Sequence, residues 1–170
     1  MPNTYSQISM HIIFAVKHRE ALILPSFRVD LYKYIHGIIK GKNQKSFAVN
    51  GTADHIHIFA GLSPTVYIPD FVRDLKSDSS LYVNKNHWSP KKFHWQEGYG
   101  VFSHSRSQRD RVIKYILNQE KHHLKTSFRL EYLGFLEKNE TESDAEYLFD
   151  FFDSTRSWPP ISGPDGAEFA

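Results

Sequence analysis

The chain predicts an α+β sandwich, an antiparallel sheet with helices on one face. Strand-like and helix-like periodicities alternate along it in the order β-α-β-β-α-β, with a further helix after them. Two strand-like runs flank Gly51 closely enough to form a hairpin. A length of 170 residues with 40% hydrophobic content suits one domain with a real core.

Residues 5–16 alternate imperfectly and read as a long first strand. Pro25 and Ser26 open a helix to about residue 42, with Leu31, Tyr34, Ile35, Ile38 and Ile39 along its apolar stripe. Residues 45–50 and 54–62 are the two strands of the hairpin. Residues 69–84, opened by a proline, form a second helix. Residues 93–103 read as a strand region interrupted by Gly98 and Gly100, the mark of a bulge. Ser107 can cap a helix reaching about residue 123, in which Val112, Ile113, Ile116 and Leu117 recur at spacings of three and four. Two short helices are expected near residues 128–136 and 144–152. Trp158-Pro159-Pro160 and the Gly- and Pro-containing end read as unstructured or peripheral.

The absence of cysteine excludes disulfides and thiolate metal sites and fits a cytoplasmic, reducing location. Met1-Pro2-Asn3-Thr4 leads straight into strand-like sequence, so no signal peptide is expected. No apolar run reaches the ~20 residues that span a bilayer. The net charge of +2 hides an asymmetry. Residues 131–170 hold two basic and ten acidic residues, against nineteen basic and nine acidic in residues 1–130. The basic body suits a polyanionic partner. The acidic end either shields that surface or is a solvated appendix. The expected organisation is a catalytic domain over 1–130 and an acidic extension over 131–170.

Two constellations carry chemistry. In Ala53-Asp54-His55-Ile56-His57-Ile58, strand alternation puts His55 and His57 on one face and Ile56 and Ile58 on the other. Two neutral imidazoles on a rigid element can meet one transition-metal ion; the plain alternative is a half-exposed sheet face. Later, Tyr115 and Gln119 lie four apart and stack on one helix face. A Tyr hydroxyl can serve as a nucleophile, and a Gln oxygen one turn away can face a cation. The plain alternative is a partly buried Tyr beside a solvated Gln.

Together these motifs resemble the HUH tyrosine transposases of the insertion-sequence-200 group, in which HUH denotes His, bulky hydrophobe, His. Trp95-Gln96-Glu97-Gly98-Tyr99-Gly100-Val101-Phe102-Ser103 looks like that family's W-Q-x-G-Y-x-x-F-S segment, and residues 71–80 look like its middle helix. The likeness runs from about Thr4 to Leu130. It implies a ferredoxin-like fold with a central HUH strand. It also implies single-stranded DNA cleavage and rejoining through a 5′-phosphotyrosine on Tyr115, with His55, His57 and Gln119 holding a divalent ion, Mg²⁺ or Mn²⁺. DNA hairpins at element ends are the implied substrate. A homodimer is implied as well, with Tyr115 of one chain facing the His pair of the other. The long first strand supplies a geometric motive, since its edge would be covered by pairing two copies.

Arg73, Lys76, Lys85, Lys91, Lys92, Arg106, Arg109, Arg111 and Lys114 are candidate phosphate contacts; any one of them can equally be a solvated charge. Trp95, Tyr99 and Phe102 are candidates for stacking on bases or for packing. Asp54 either orients an imidazole or is a turn residue. His94, His104, His122 and His123 read as surface residues. Two other functions compete with transposition: a domesticated nuclease of the same chemistry, and a non-catalytic nucleic-acid-binding domain. Binding alone requires none of Tyr115, His55, His57 and Gln119.

Overall fold

A computed structural model describes residues 3–140. Four strands form one antiparallel sheet: β1 (Ile8–Ala15), β2 (Lys45–Gly51), β3 (His55–Leu62) and β4 (Gly100–His104), in the order β2-β3-β1-β4. This is the ferredoxin-like α+β class expected from the sequence, with the HUH strand interior, but helices pack on both faces of the sheet where the sequence predicts one. β1 is interior too, between β3 and β4, and offers no edge for a second copy. That corrects the geometric motive for the dimer: the outer strands are β2 and β4. The first strand is also shorter than its alternation suggests; beyond it only Val16 makes a bridge, to Trp95.

Helices α1 (Arg28–Gly41) and α2 (Ile68–Lys85) cover one face of the sheet. Their apolar stripes, Leu31, Ile35 and Ile39 with Phe71, Val72, Leu75 and Val83, meet Ile12 and Phe14 of β1 and Ile56, Ile58 and Ala60 of β3. Each such side chain, fully buried, contributes roughly 1.5–3 kcal/mol. Trp95 closes this core, its indole N–H donating 2.9 Å to the buried Ser79 hydroxyl. Trp95 and Phe102 are thus packing residues, and Tyr99 packs against the same core.

The other face carries α3 (Arg109–Leu117), α4 (Gln119–His123) and α5 (Phe128–Lys138). Val112 and Ile116 of α3 pack on Ala48 and Phe59, while Phe128, Tyr132 and Leu136 of α5 pack on Ile13, Ala15 and Phe102. At Gly100 a Cβ would stand 2.9 Å from the Tyr132 ring, so the glycine is what lets α5 approach β4. The single helix expected to residue 123 is broken at Asn118, where φ −99° and ψ 18° leave the helical region. Its start is capped by Ser105, not Ser107, through a capping box with Gln108. α5 crosses the boundary expected at 130/131. The helix expected near 144–152 and the end around Trp158 lie outside the described residues.

Candidate active site

Strand pairing assembles one wall of the site. Ala15 stands opposite His55, Ile13 opposite His57 and His11 opposite Phe59, so His11, His55 and His57 project from the same face. All three are buried, with 1% exposure or less. The hairpin turn fixes His55. Asp54 accepts from His55 Nδ1 at 2.7 Å, from Thr52 Oγ1 at 2.8 Å, and from Arg19 Nε and Nη2 at 3.1 and 3.0 Å. A carboxylate can only accept, so His55 carries its proton on Nδ1 and turns the Nε2 lone pair inward. Asp54 is therefore the imidazole-orienting residue of the two readings the sequence left open. His57 Nδ1 meets His11 Nε2 at 2.8 Å. Donation from Nδ1 to His11 leaves the His57 Nε2 lone pair free as well.

The second wall comes from the broken helix. Asn50, on the strand beside His57, donates to the carbonyls of Ile116 and Leu117 at 3.0 and 3.1 Å. These are orphan acceptors at the end of α3, and satisfying them pins the turn at Asn118. Tyr115 and Gln119 then stand on opposite sides of that turn yet reach the same cluster. The Tyr115 ring lies edge-on to His57 with centroids 6.1 Å apart. The sequence-predicted quartet of Tyr115, His55, His57 and Gln119 is thus brought together within one chain.

Two further residues join it. Glu131, fully buried on α5, accepts from the Tyr115 hydroxyl and, at 3.2 Å, from Gln119 Nε2. Its carboxylate oxygens stand 3.2 Å from His57 Nε2 and 2.5 Å from His123 Nε2. His123 Nε2 in turn lies 3.1 Å from His55 Nε2 and 3.0 Å from Gln119 Oε1. His123, read from sequence as a surface residue, is two-sidedly engaged in the site, and His122 packs on Tyr115 with centroids 5.0 Å apart. His104 is half-buried beside His11, whereas His94 is exposed. Spacing alone could have flagged His123, four residues after Gln119 and so one turn on. Glu131 carried no signal, since its position follows a loop whose path sequence does not specify.

The electrostatics suit metal binding. Burial holds His55 and His57 below the usual imidazole range, Asp54 opposing it at His55 and Glu131 opposing it at His57, so both imidazoles are uncharged near pH 7. Burial pushes the Tyr115 hydroxyl above its ordinary range, and the Glu131 charge pushes it further. Burial would raise Glu131, but His57 and His123 override it and hold its carboxyl below the usual range. His57 Nε2 is buried with no hydrogen-bond partner, and Glu131 Oε2 faces His123 Nε2 at 2.5 Å. An unbonded imidazole lone pair beside a buried carboxylate and two further imidazoles is a donor set that suits a divalent cation, so the residues present fit one.

The candidate phosphate contacts divide between the two faces. Arg106, Arg109, Arg111 and Lys114 cluster around the start of α3, Arg109 lying 4.4 Å over the Phe47 ring. Arg73 and Lys76 line a separate cleft of about 430 Å³ beside α2, with Trp95 and Tyr99. There Arg73 pairs with Asp70 and Asp74, and Lys76 donates to the Gln96 and Gly98 carbonyls. Lys91 pairs with Glu20, while Lys85 and Lys92 are exposed.

A family model described as "Transposase IS200 like" matches residues 4–119. The chain belongs to the IS200-like transposase family. Within that family, the ISDra2 transposase TnpA of Deinococcus radiodurans is 25% identical over 118 residues, covering 66% of this chain and 84% of the relative. A crystal structure from Deinococcus radiodurans R1, titled as a transposase, superposes with a TM-score of 0.54 at 25% identity, over 70% of this chain and 95% of that one. A REP-associated tyrosine transposase solved with a REP hairpin superposes with a TM-score of 0.53 at 15% identity, over 72% and 73% of the two chains; at that identity it supports the fold. The family match takes in Tyr115, His55, His57 and Gln119 and stops before His123 and Glu131. Among the described residues of this IS200-like chain, no helix is long and apolar enough to cross a membrane.

Proposed function

We propose that this chain cleaves and rejoins single-stranded DNA with Tyr115 as nucleophile, and that His55, His57 and Gln119 hold a divalent ion, Mg²⁺ or Mn²⁺ in use. The observation that carries this reading is the convergence of the four side chains on one buried cluster, inside a chain of the IS200-like family. The Tyr115 oxygen attacks phosphorus, the bond from phosphorus to the 3′-oxygen breaks, and that oxygen leaves as a free 3′-hydroxyl. The 5′-phosphate stays on Tyr115 until another 3′-hydroxyl reverses the step, so no outside energy source is needed. The phenolic proton already has an acceptor in Glu131 Oε1. A bound cation would polarise the scissile phosphate and favour the phenolate that burial and Glu131 disfavour.

The substrate is a DNA hairpin with flanking single strand, as the hairpin-bound neighbour suggests by analogy. Arg106, Arg109, Arg111 and Lys114, beside the start of the Tyr helix, carry phosphates toward the site, with Arg73, Lys76, Lys91 and Lys92 as further contacts. Counterion release makes this binding salt-dependent. The working unit in this reading is a homodimer; its pairing edge is an outer strand, β2 or β4, rather than β1, and within one chain Tyr115 already lies against His57. The test is incubation with flanking single strands and divalent metal, followed by denaturing electrophoresis. Wild type yields a protein–DNA adduct; Tyr115→Phe loses it while retaining hairpin binding. An adduct of undiminished yield in that variant refutes the assignment.

A further inference from the structure

We infer that Glu131 and His123 are metal ligands, completing with His55 and His57 a three-imidazole, one-carboxylate centre. The inference rests on the metal reading above and extends it beyond the family-matched residues, which end at 119. One donor atom from each of these four residues lies within 4.8 Å of all the others. Metal–ligand bonds of about 2.0–2.2 Å put neighbouring donors roughly 3–3.6 Å apart, so one ion can reach all four after small adjustments.

The donor atoms are also prepared for it. Asp54 turns His55 Nε2 inward, and His11 can do the same for His57 Nε2. On Glu131 the two oxygens have separate tasks. Oε1 accepts from Tyr115 and Gln119, while Oε2 faces only imidazoles, His123 Nε2 at 2.5 Å and His55 Nε2 at 3.8 Å. Among the described residues no Lys or Arg pairs with this fully buried carboxylate; its charged-group neighbours are His55, His57 and His123. Beyond the Tyr115 and Gln119 donors it faces only imidazoles, and a buried carboxylate with no Lys or Arg partner is costly unless a cation accompanies it. Gln119 Nε2 donates to Glu131 Oε1 and positions that carboxylate; its Oε1, which here accepts from His123 Nε2, is released toward the ion when His123 turns its Nε2 lone pair there.

The donor set also predicts which ion is held. Three nitrogens and one carboxylate oxygen favour Mn²⁺, Co²⁺ or Zn²⁺ over Mg²⁺, which prefers oxygen and retained water. Because α4 and α5 belong to the same chain as β3, the centre forms without DNA or a second copy.

The experiment titrates Co²⁺ into the full chain without DNA and follows visible d–d absorption, calorimetry and circular dichroism. Wild type is expected to give the intense bands of a low-coordinate nitrogen-rich site, retained in roughly hundred-fold excess Mg²⁺. Glu131→Gln and His123→Asn are each expected to weaken Co²⁺ at least about ten-fold and to alter the bands. The double variant His55→Ala, His57→Ala should abolish binding. Wild-type Co²⁺ affinity and spectrum in both Glu131→Gln and His123→Asn, with binding lost in the double variant, overturns this inference and leaves the His-pair metal site standing. Binding unchanged in the double variant, or absent from wild type, overturns the metal reading itself. If Glu131→Gln is unfolded by circular dichroism, His123→Asn decides by the same criterion, since His123 is only partly buried at the end of a short helix.

Discussion

Replacing Asp54 by Asn probes the join between fold and site. The carboxylate is 5% exposed and accepts from four groups: two from Arg19, one from Thr52 and one from His55. Asn keeps the shape but has one acceptor oxygen and an NH₂ that donates. If the oxygen stays on Arg19, the NH₂ faces His55 Nδ1, and His55 must move its proton to Nε2 to accept. If the oxygen turns to His55, the guanidinium loses its charged partner. Either way a charge-assisted bond is lost in a nearly dry place, where such bonds contribute about 1.5–3 kcal/mol and removal of one partner of a buried pair costs about 3–5 kcal/mol. Arg19 keeps some solvent access, 12% at its side chain, and lies 5.3 Å over the Phe128 ring, so the lower part of that range applies. About 3 kcal/mol corresponds to a fall in Tm of roughly 6–12 °C for a chain of this size. The tautomer change also removes the inward lone pair of His55, and loss of such an orienting partner weakens metal about 10–100-fold. Differential scanning calorimetry without metal and Co²⁺ titration read the two effects separately. A Tm within about 2 °C of wild type together with unchanged Co²⁺ affinity would show that Asp54 neither holds the turn nor sets the tautomer.

Gly51→Ala places a Cβ 2.2 Å from the His55 carbonyl oxygen and 2.9 Å from Ile56 Cα, both backbone; the hairpin must shift, and we expect a loss above about 2 kcal/mol with weakened metal binding, checked by urea unfolding and Co²⁺ titration. Mixing Tyr115→Phe chains with His55→Ala, His57→Ala chains should restore no cleavage if the pairing of Tyr115 with the His57 of its own chain is the working one; recovered adduct on mixing would establish exchange between chains. Burial pulls the Lys76 ammonium down to about 8, with Glu97 partly opposing it. Its folded pKa lies below the unfolded value of 10.5, so between those pH values the unfolded chain binds more protons and stability rises with pH. Lys76→Met has nothing to titrate there, so the wild-type-minus-variant difference in urea midpoints should grow from pH 7.5 to 10; a constant difference would contradict the burial argument.

Local pattern was enough to locate four strands, the two helices of the first face and the motif residues, although the last strand, expected over 93–103, spans only Gly100–His104. Period-two alternation assigns His55 and His57 to one face and Ile56 and Ile58 to the other, and burial of Ile56 and Ile58 in the main core follows from it. Spacing of three and four located Val112 and Ile116 on the buried side of the Tyr helix. The break at Asn118 was invisible because Asn50, 68 residues earlier, stabilises it through the Ile116 and Leu117 carbonyls. The same limit misplaced β1 at an edge: alternation gives a strand its faces but not its neighbours.

The sequence by itself determined which side chains could do chemistry here, because Tyr115, His55, His57 and Gln119 stand at spacings that strand and helix periods turn into shared faces. It could not determine that these faces meet, or that His123 and Glu131 meet them. That depends on α5 crossing the second face of the sheet, which Gly100 admits by leaving room for Tyr132 and which Phe128 seals by stacking 3.9 Å from His55. Such contacts join residues 32 and 73 positions apart, and their free energy comes from burial that exists only once both elements are packed. The acidic extension expected over 131–170 begins at Glu131, and tertiary packing places that residue's carboxylate beside Tyr115, His57 and His123.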